Sequence, residues 1–404
     1  MSDFAPSTVS RRSGASVELG PGEVLARIRA VLPPSASRVG LHEPSFVGNE
    51  RAYLIDCIDT GWVSYAGPYV RKFEDALAAT CGTAHAVAVS SGTVALQVAL
   101  QVGGIGANEE VLVPALTFVA SANAVIHAGA IPNFVDVDEA TLGICPVALA
   151  AYLKEIGELR AGNLYNRRTG RHISAVMPVH IFGHPVDMDT LAVVAQRYHL
   201  LIIEDATEAL GSRYKGRPCG ALAPLAALSF NGNKVATTGG GGAILTSDAK
   251  LAGRLRHLTT TAKLAHRWAF LHDEVAWNFR LPNLNAALGL AQLERLTASV
   301  AAKRRLQQRY AEAFSDLVGA RVFAEAPFAA SNYWLVALLV DRGREHVLEA
   351  ILAATNDAGI MTRPAWTPMH HLPMYAGNPR AALPVTESLA RRIINLPSSP
   401  FLAP

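Results

Sequence analysis

Cysteine is scarce: Cys57, Cys81, Cys145 and Cys219 are spread over 404 residues, and no two form a Cys-x-x-Cys pair. That excludes a disulfide framework and a thiolate zinc site, and it fits a reducing cytoplasm. Charge is scarce as well. Only 17% of residues are Asp, Glu, Lys or Arg, and the net charge is +3. The basic pairs Arg167-Arg168 and Arg304-Arg305 are too small for a nucleic-acid surface and read as solvated loop and helix faces. No apolar run approaches the about 20 residues needed to cross a bilayer. Met1 to Ser16 are mostly polar and have no apolar core behind Arg11-Arg12, so they read as a tail and not as a secretory signal. Internal repeats and low-complexity tracts are also missing.

What is present is apolar residue, half of the chain, enough for a large buried core. Short apolar runs at 85–89, 111–113, 131–135, 175–179, 200–203 and 225–228 alternate with helical or loop segments. This rhythm predicts an α/β fold with a mostly parallel sheet covered on both faces. Helices are expected over 23–32, 48–59 and 67–79. A long, proline-free helical stretch from Asn285 to about Leu317 is expected to join two domains. A strand near 333–340 and a helix near 345–358 then belong to a smaller α+β part. The expected division is an N-terminal tail and helix over 1–35, a large domain over 36–290 and a smaller one over 291–404.

The chemistry sits where the apolar runs end. Ser90-Ser91-Gly92-Thr93, Thr117-Phe118, His180, Asp205 and Ser229 follow successive runs, and the ends of parallel strands converge on one edge of a sheet. Lys234, in Ser229-Phe230-Asn231-Gly232-Asn233-Lys234, precedes Thr237-Thr238 and the glycines 239–242. An amine beside a hydroxyl and a glycine run can hold a cofactor aldehyde with its phosphate cradled nearby. Leu200 to Ile203 lead into Glu204-Asp205, a carboxylate at a strand end. Lysine plus aspartate is what pyridoxal phosphate requires: one forms the Schiff base, the other keeps the ring nitrogen protonated. Each residue also has a plainer reading. Ser91 and Asp205 could be helix caps, Phe118 a core aromatic and Asn278 a loop residue. The glycine run has neither P-loop nor Rossmann context and reads as a tight turn. His180 and His184 have metal-like spacing, but Gly183 and Pro185 argue against a helix there, so no metal site is expected.

Taken together, the motifs resemble those of the DegT/DnrJ/EryC1/StrS sugar aminotransferases: a strand ending in Glu-Asp-Ala, then Ser-Phe-x-x-x-Lys and a Thr-Thr-Gly-rich turn. The likeness runs from about His42 to Pro397. It implies fold type I of the pyridoxal-phosphate-dependent transferases, like aspartate aminotransferase, with a seven-stranded sheet in the large domain. By the same resemblance Ser91, Gly92 and Thr93 hold the cofactor phosphate, Phe118 stacks on the ring and Asp205 meets the ring nitrogen. Glu208 lies near the ring hydroxyl, although many family members have Gln there, and Ser229 and Lys234 complete the site. Asn278, in Trp277-Asn278-Phe279-Arg280, reaches the phosphate of the partner subunit, which implies a homodimer with shared sites. Many relatives carry Glu where this chain has Gly240.

The resemblance further implies ping-pong transfer of an amino group, with glutamate as donor, to the keto carbon of a nucleotide-linked deoxy sugar. The stretches at 41–44, 59–64 and 362–366 resemble a subgroup acting at C4 of UDP-4-keto-6-deoxy-N-acetylhexosamines for bacterial surface glycans. By the same resemblance His42, Trp62, Ser64, His180, Arg363 and His370 are candidate substrate contacts. GDP-perosamine-type and 3-keto-sugar aminotransferases are the alternatives. A non-catalytic cofactor-binding regulator or scaffold is disfavoured because Lys234 and Asp205 are both retained, and the lysine likewise speaks against dehydration.

Overall fold

The computed structural model describes residues 17–34 and 38–403; the expected tail over Met1 to Ser16 lies outside them. Seven strands form the main sheet: β1 (His85–Val89), β2 (Glu110–Pro114), β3 (Ile131–Val135), β4 (His172–Val176), β5 (Leu201–Asp205), β6 (Leu225–Ser229) and β7 (Gly242–Thr246). Their spatial order is β1-β7-β6-β5-β4-β2-β3, and a hairpin at Gly157–Arg160 and Asn163–Asn166 continues from β4, giving nine strands in all. All neighbours on the main path pair in parallel except β7, which runs antiparallel between β6 and β1.

Successive side chains on a strand point to opposite faces. Val87 and Val89 accordingly join one apolar layer with Ala227, Ile244 and the helix Gly92–Val102. Ala86 and Ala88 join the other, with Ala226, Ala243 and the helix Pro68–Cys81. Burial on both faces is why these strands read as continuous apolar runs without alternation.

The 283–313 stretch is two helices and not one. Asn283–Glu294 ends at Arg295, whose φ of −107° and ψ of 0° lie off the helical values, and Leu296–Ala313 starts beyond it. The first helix packs on Glu50–Asp59 and Pro68–Cys81, the second on Pro21–Val31. Each is held by different neighbours, and composition does not encode that break.

A second, antiparallel sheet holds β8 (Ala320–Val322), β9 (Val336–Val340), β10 (Arg363–Pro364) and β11 (Ile393–Leu396) in the order β8-β9-β11-β10. Val24, Ile28 and Val31 of the first helix pack into the same core as Leu338, Ile351 and Ile394. The beginning and the end of the described chain therefore share one core.

Candidate active site

The parallel strands bring the residues after β1, β2, β4, β5 and β6 to one edge of the sheet. Because β7 runs the other way, its leading residues Gly240 and Gly241 reach that edge too. A cavity of about 220 Å³ opens there. Ser91, Gly92, Phe118, Asp205, Ser229 and Lys234 all line it.

Ser91 caps the helix Gly92–Val102, its Oγ accepting from Val94 N at 3.2 Å. Capping does not compete with anion binding, since the N–H groups of Gly92 and Thr93 in the first turn have no intrahelical acceptor and face the cavity rim. Close approach makes glycine necessary here: a Cβ on Gly92 would stand 2.8 Å from Ser229 Cβ, and one on Gly242 would stand 2.3 Å from Ser91 O. Around Gly240, by contrast, a Cβ would meet nothing within 4 Å, so the loss of a larger side chain there leaves the frame intact.

Asp205 is buried and rigidly held. Its Oδ2 accepts from Ser121 Oγ at 2.7 Å, Ser121 in turn sits 2.8 Å from Thr117 Oγ1, and Thr207 N lies 3.2 Å from Oδ1. Glu204 next door points away and is spent on structure, accepting from the backbone N–H groups of Gly220 and Leu222. Lys234 Nζ lies 3.4 Å from Glu208 Oε1 and 4.0 Å from the centre of the Trp334 ring. Glu208 is fully enclosed; burial pushes its carboxyl up to about 7, against the opposing pull of Lys234 and of Phe182 N, which donates to Oε2 at 2.7 Å. Phe182 holds a φ of +55° to do so, a region L-residues occupy only when their surroundings impose it.

Several expected substrate contacts lie elsewhere. His180 is wholly buried beneath the site: Val186 N donates to its Nδ1 at 3.1 Å, leaving Nε2–H to bond Glu204 Oε1 at 3.0 Å. Both ring nitrogens are occupied, which corrects the expectation of a substrate contact. His184 instead packs its ring edge-on against Phe323 and Tyr333. His370 is buried outside the cavity, with Nε2 3.3 Å from Glu387 Oε1, another correction. Arg363 and His42 line a neighbouring cavity of about 610 Å³ that shares Asn233, Trp334 and Trp366 with the first. Trp62, Ser64 and Asn278 are exposed and do not line their own chain's cavity.

Sequence reasoning missed Ser121 and Trp334. Ser121 could have been found from its i,i+4 spacing to Thr117 at the start of a helix. Trp334 lies within a run read as an apolar strand, and nothing local marks it. Its Nε1 donates to Asn233 O at 2.7 Å, fixing the ring beneath Lys234. Trp366 closes the opposite side, its ring centre 5.8 Å from that of Phe118 and 5.1 Å from that of Phe182.

This arrangement fits pyridoxal phosphate: a free helix N-terminus for phosphate, a half-exposed aromatic face, a fixed buried carboxylate and an amine across from it. It is the site of a fold-type-I transaminase. The chain matches the DegT/DnrJ/EryC1/StrS aminotransferase family over residues 44–404 and belongs to it. It is a pyridoxal-phosphate-dependent sugar aminotransferase. It is 36% identical over 365 residues to the GDP-perosamine synthase of Escherichia coli O157:H7, covering 90% of this chain and 94% of that one. The GDP-perosamine synthase of Caulobacter vibrioides is 38% identical over 365 residues, covering 89% and 93%. Among solved structures, a DegT DnrJ EryC1 StrS aminotransferase from Brucella abortus superposes with a TM-score of 0.78 at 30% identity, covering 88% of this chain and 91% of that one.

Proposed function

We propose that this chain aminates the 4-keto carbon of a GDP-linked deoxyhexose, with glutamate as amino donor, in the supply of amino sugars for surface polysaccharide. The observation that carries the reading is the pairing of Lys234 and Asp205 across one cavity in a chain so similar to two GDP-perosamine synthases. The UDP-linked N-acetylhexosamine expected from the peripheral motifs has less support from the relatives, three of which are GDP-perosamine synthases.

Bound pyridoxal phosphate supplies the electron sink that lets a proton leave the donor carbon. The residues of this chain do the rest. Lys234 Nζ would be the anchoring amine and, when not holding the cofactor, the base that takes the proton from the donor carbon. Asp205, pinned by Ser121 and Thr207, keeps a negative charge fixed where the ring nitrogen needs its proton. Phe118 and Trp366 give the cavity an apolar wall.

The assembly we propose is a homodimer in the cytoplasm. Asn278, Trp62 and Ser64 are exposed and stand apart from their own cavity, as residues serving a partner's site would. The reading is tested by loading the enzyme with the amine form of the cofactor and offering GDP-, UDP- and dTDP-linked 4-keto-6-deoxy sugars. Fastest turnover with the GDP sugar is expected. Preference for the UDP sugar would overturn the nucleotide assignment, and inertness to all would overturn the substrate class.

A further inference from the structure

His42 has an unusual position. Its ring is more than nine-tenths buried, and its one approach to an acceptor, the backbone of Asn233 on the inner side, falls short of good hydrogen-bond geometry. A buried imidazole without good partners gives up the hydrogen bonds that water would supply. The ring lies between two spaces. On one side is the 610 Å³ cavity that adjoins the reaction centre; on the other is a separate outer cavity of about 420 Å³.

One helical face forms a wall of the outer cavity. Ser299, Ala302 and Arg305 line it from one side of the helix Leu296–Ala313, at steps of three residues, and Arg295 lines it from the cap just before that helix. Among the described residues neither Arg295 nor Arg305 pairs with a carboxylate. Arg305 makes only a long contact of 3.5 Å with Ala403 O, while its neighbour Arg304 is paired with Glu325. Glu43 also borders the cavity, but its carboxylate turns back to accept from Gly40 N at 3.3 Å, and Gly40 belongs to the inner cavity. The outer cavity therefore offers two forked cations, a serine and a poorly partnered imidazole. A guanidinium binds phosphate oxygens in pairs, and the volume falls in the range of about 300–1,000 Å³ usual for small-molecule sites.

We propose that the outer cavity binds the diphosphate of a nucleoside diphosphate, with Arg295 and Arg305 on its oxygens and a His42 ring N–H as a further donor. The ligand could be carried by the sugar substrate or arrive free, as an effector. The site is defined by its own residues and does not depend on which sugar is aminated.

Calorimetric titration of GDP, UDP and inorganic diphosphate into the cofactor-loaded enzyme tests this without turnover. Binding of the nucleotides is expected, with Arg295→Ala and Arg305→Ala each raising Kd by about tenfold, the loss of one charge-assisted contact. His42→Phe, which keeps the ring and removes the donor, should weaken binding as well. The visible spectrum of the bound cofactor should not change in any of the three. GDP that competes with the nucleotide sugar would assign the site to the substrate; GDP that binds alongside saturating sugar would make it an effector site. Absence of nucleotide binding, or an unchanged Kd in the Arg295→Ala/Arg305→Ala double variant, would overturn the proposal. Failure of the sugar panel with GDP binding intact would instead count only against the function proposed above.

Discussion

Asp205 and Glu208 are two carboxylates three positions apart with opposite surroundings. Asp205 receives Ser121 Oγ and Thr207 N, so its charge is supported where it stands. Replacing it with Asn should leave the cofactor attached but slow donor half-reactions by roughly 100-fold or more, the scale of losing a preorganised charge; unchanged stopped-flow rates with glutamate would remove Asp205 from the ring nitrogen. Ser121→Ala should do the same more weakly by freeing the carboxylate. Glu208 is enclosed, and its pKa rises from 4.5 to about 7. A raised pKa favours the folded state while the group is protonated, below its ordinary value, and that stability is lost as pH rises through the folded value. In cofactor-free enzyme the melting temperature of wild type relative to Glu208→Gln should therefore fall between pH 4.5 and about 7. A flat difference across that interval would place the carboxyl in water or in a fully compensated ion pair.

At the scale of elements, the site depends on how closely β6, β7 and the helix Gly92–Val102 approach one another. Gly92→Ala would drive a Cβ to 2.8 Å from Ser229 Cβ, and such overpacking costs about 1–3 kcal/mol. Thermal melts should show that loss, and equilibrium dialysis should show weaker cofactor binding, whereas Gly240→Ala should be silent in both. Much of this frame was legible in the chain. Strands buried on both faces announce themselves as short apolar runs, and the run 131–135 matches β3 residue for residue. The six parallel strands were legible for that reason, and the residues at their ends followed. β7 was overlooked because Gly239 to Gly242 masks its start, and the hairpin at 157–166 because it is half polar and exposed. His180 was misplaced on similar grounds: it follows a strand, but the chain turns there through Phe182, and the ring swings under the sheet to Glu204. A strand end brings a residue to the right edge without choosing which way its side chain faces.

At the scale of the molecule, shared sites can be tested by mixing. A Lys234→Ala chain and an Asn278→Asp chain should each be inactive alone, the second because the new carboxylate repels phosphate. In a verified heterodimer both defects fall in one composite site and leave the other whole, so up to about half of the wild-type activity per dimer should return. No recovery would return Asn278 to its own subunit or to none. The placing of β7 has a consequence of a different kind. β1 ends at Val89, its neighbour in the sheet begins at Gly242, and the bridge from Val89 to Arg280 comes later still in the chain. During synthesis the first strand must wait for more than a third of the chain to leave the ribosome before it gains a partner, an extreme of long-range pairing that slows folding and leaves an apolar edge open. Nascent chains arrested before residue 242 should expose β1 to protease and bind chaperones, and protection should appear abruptly once β7 has emerged.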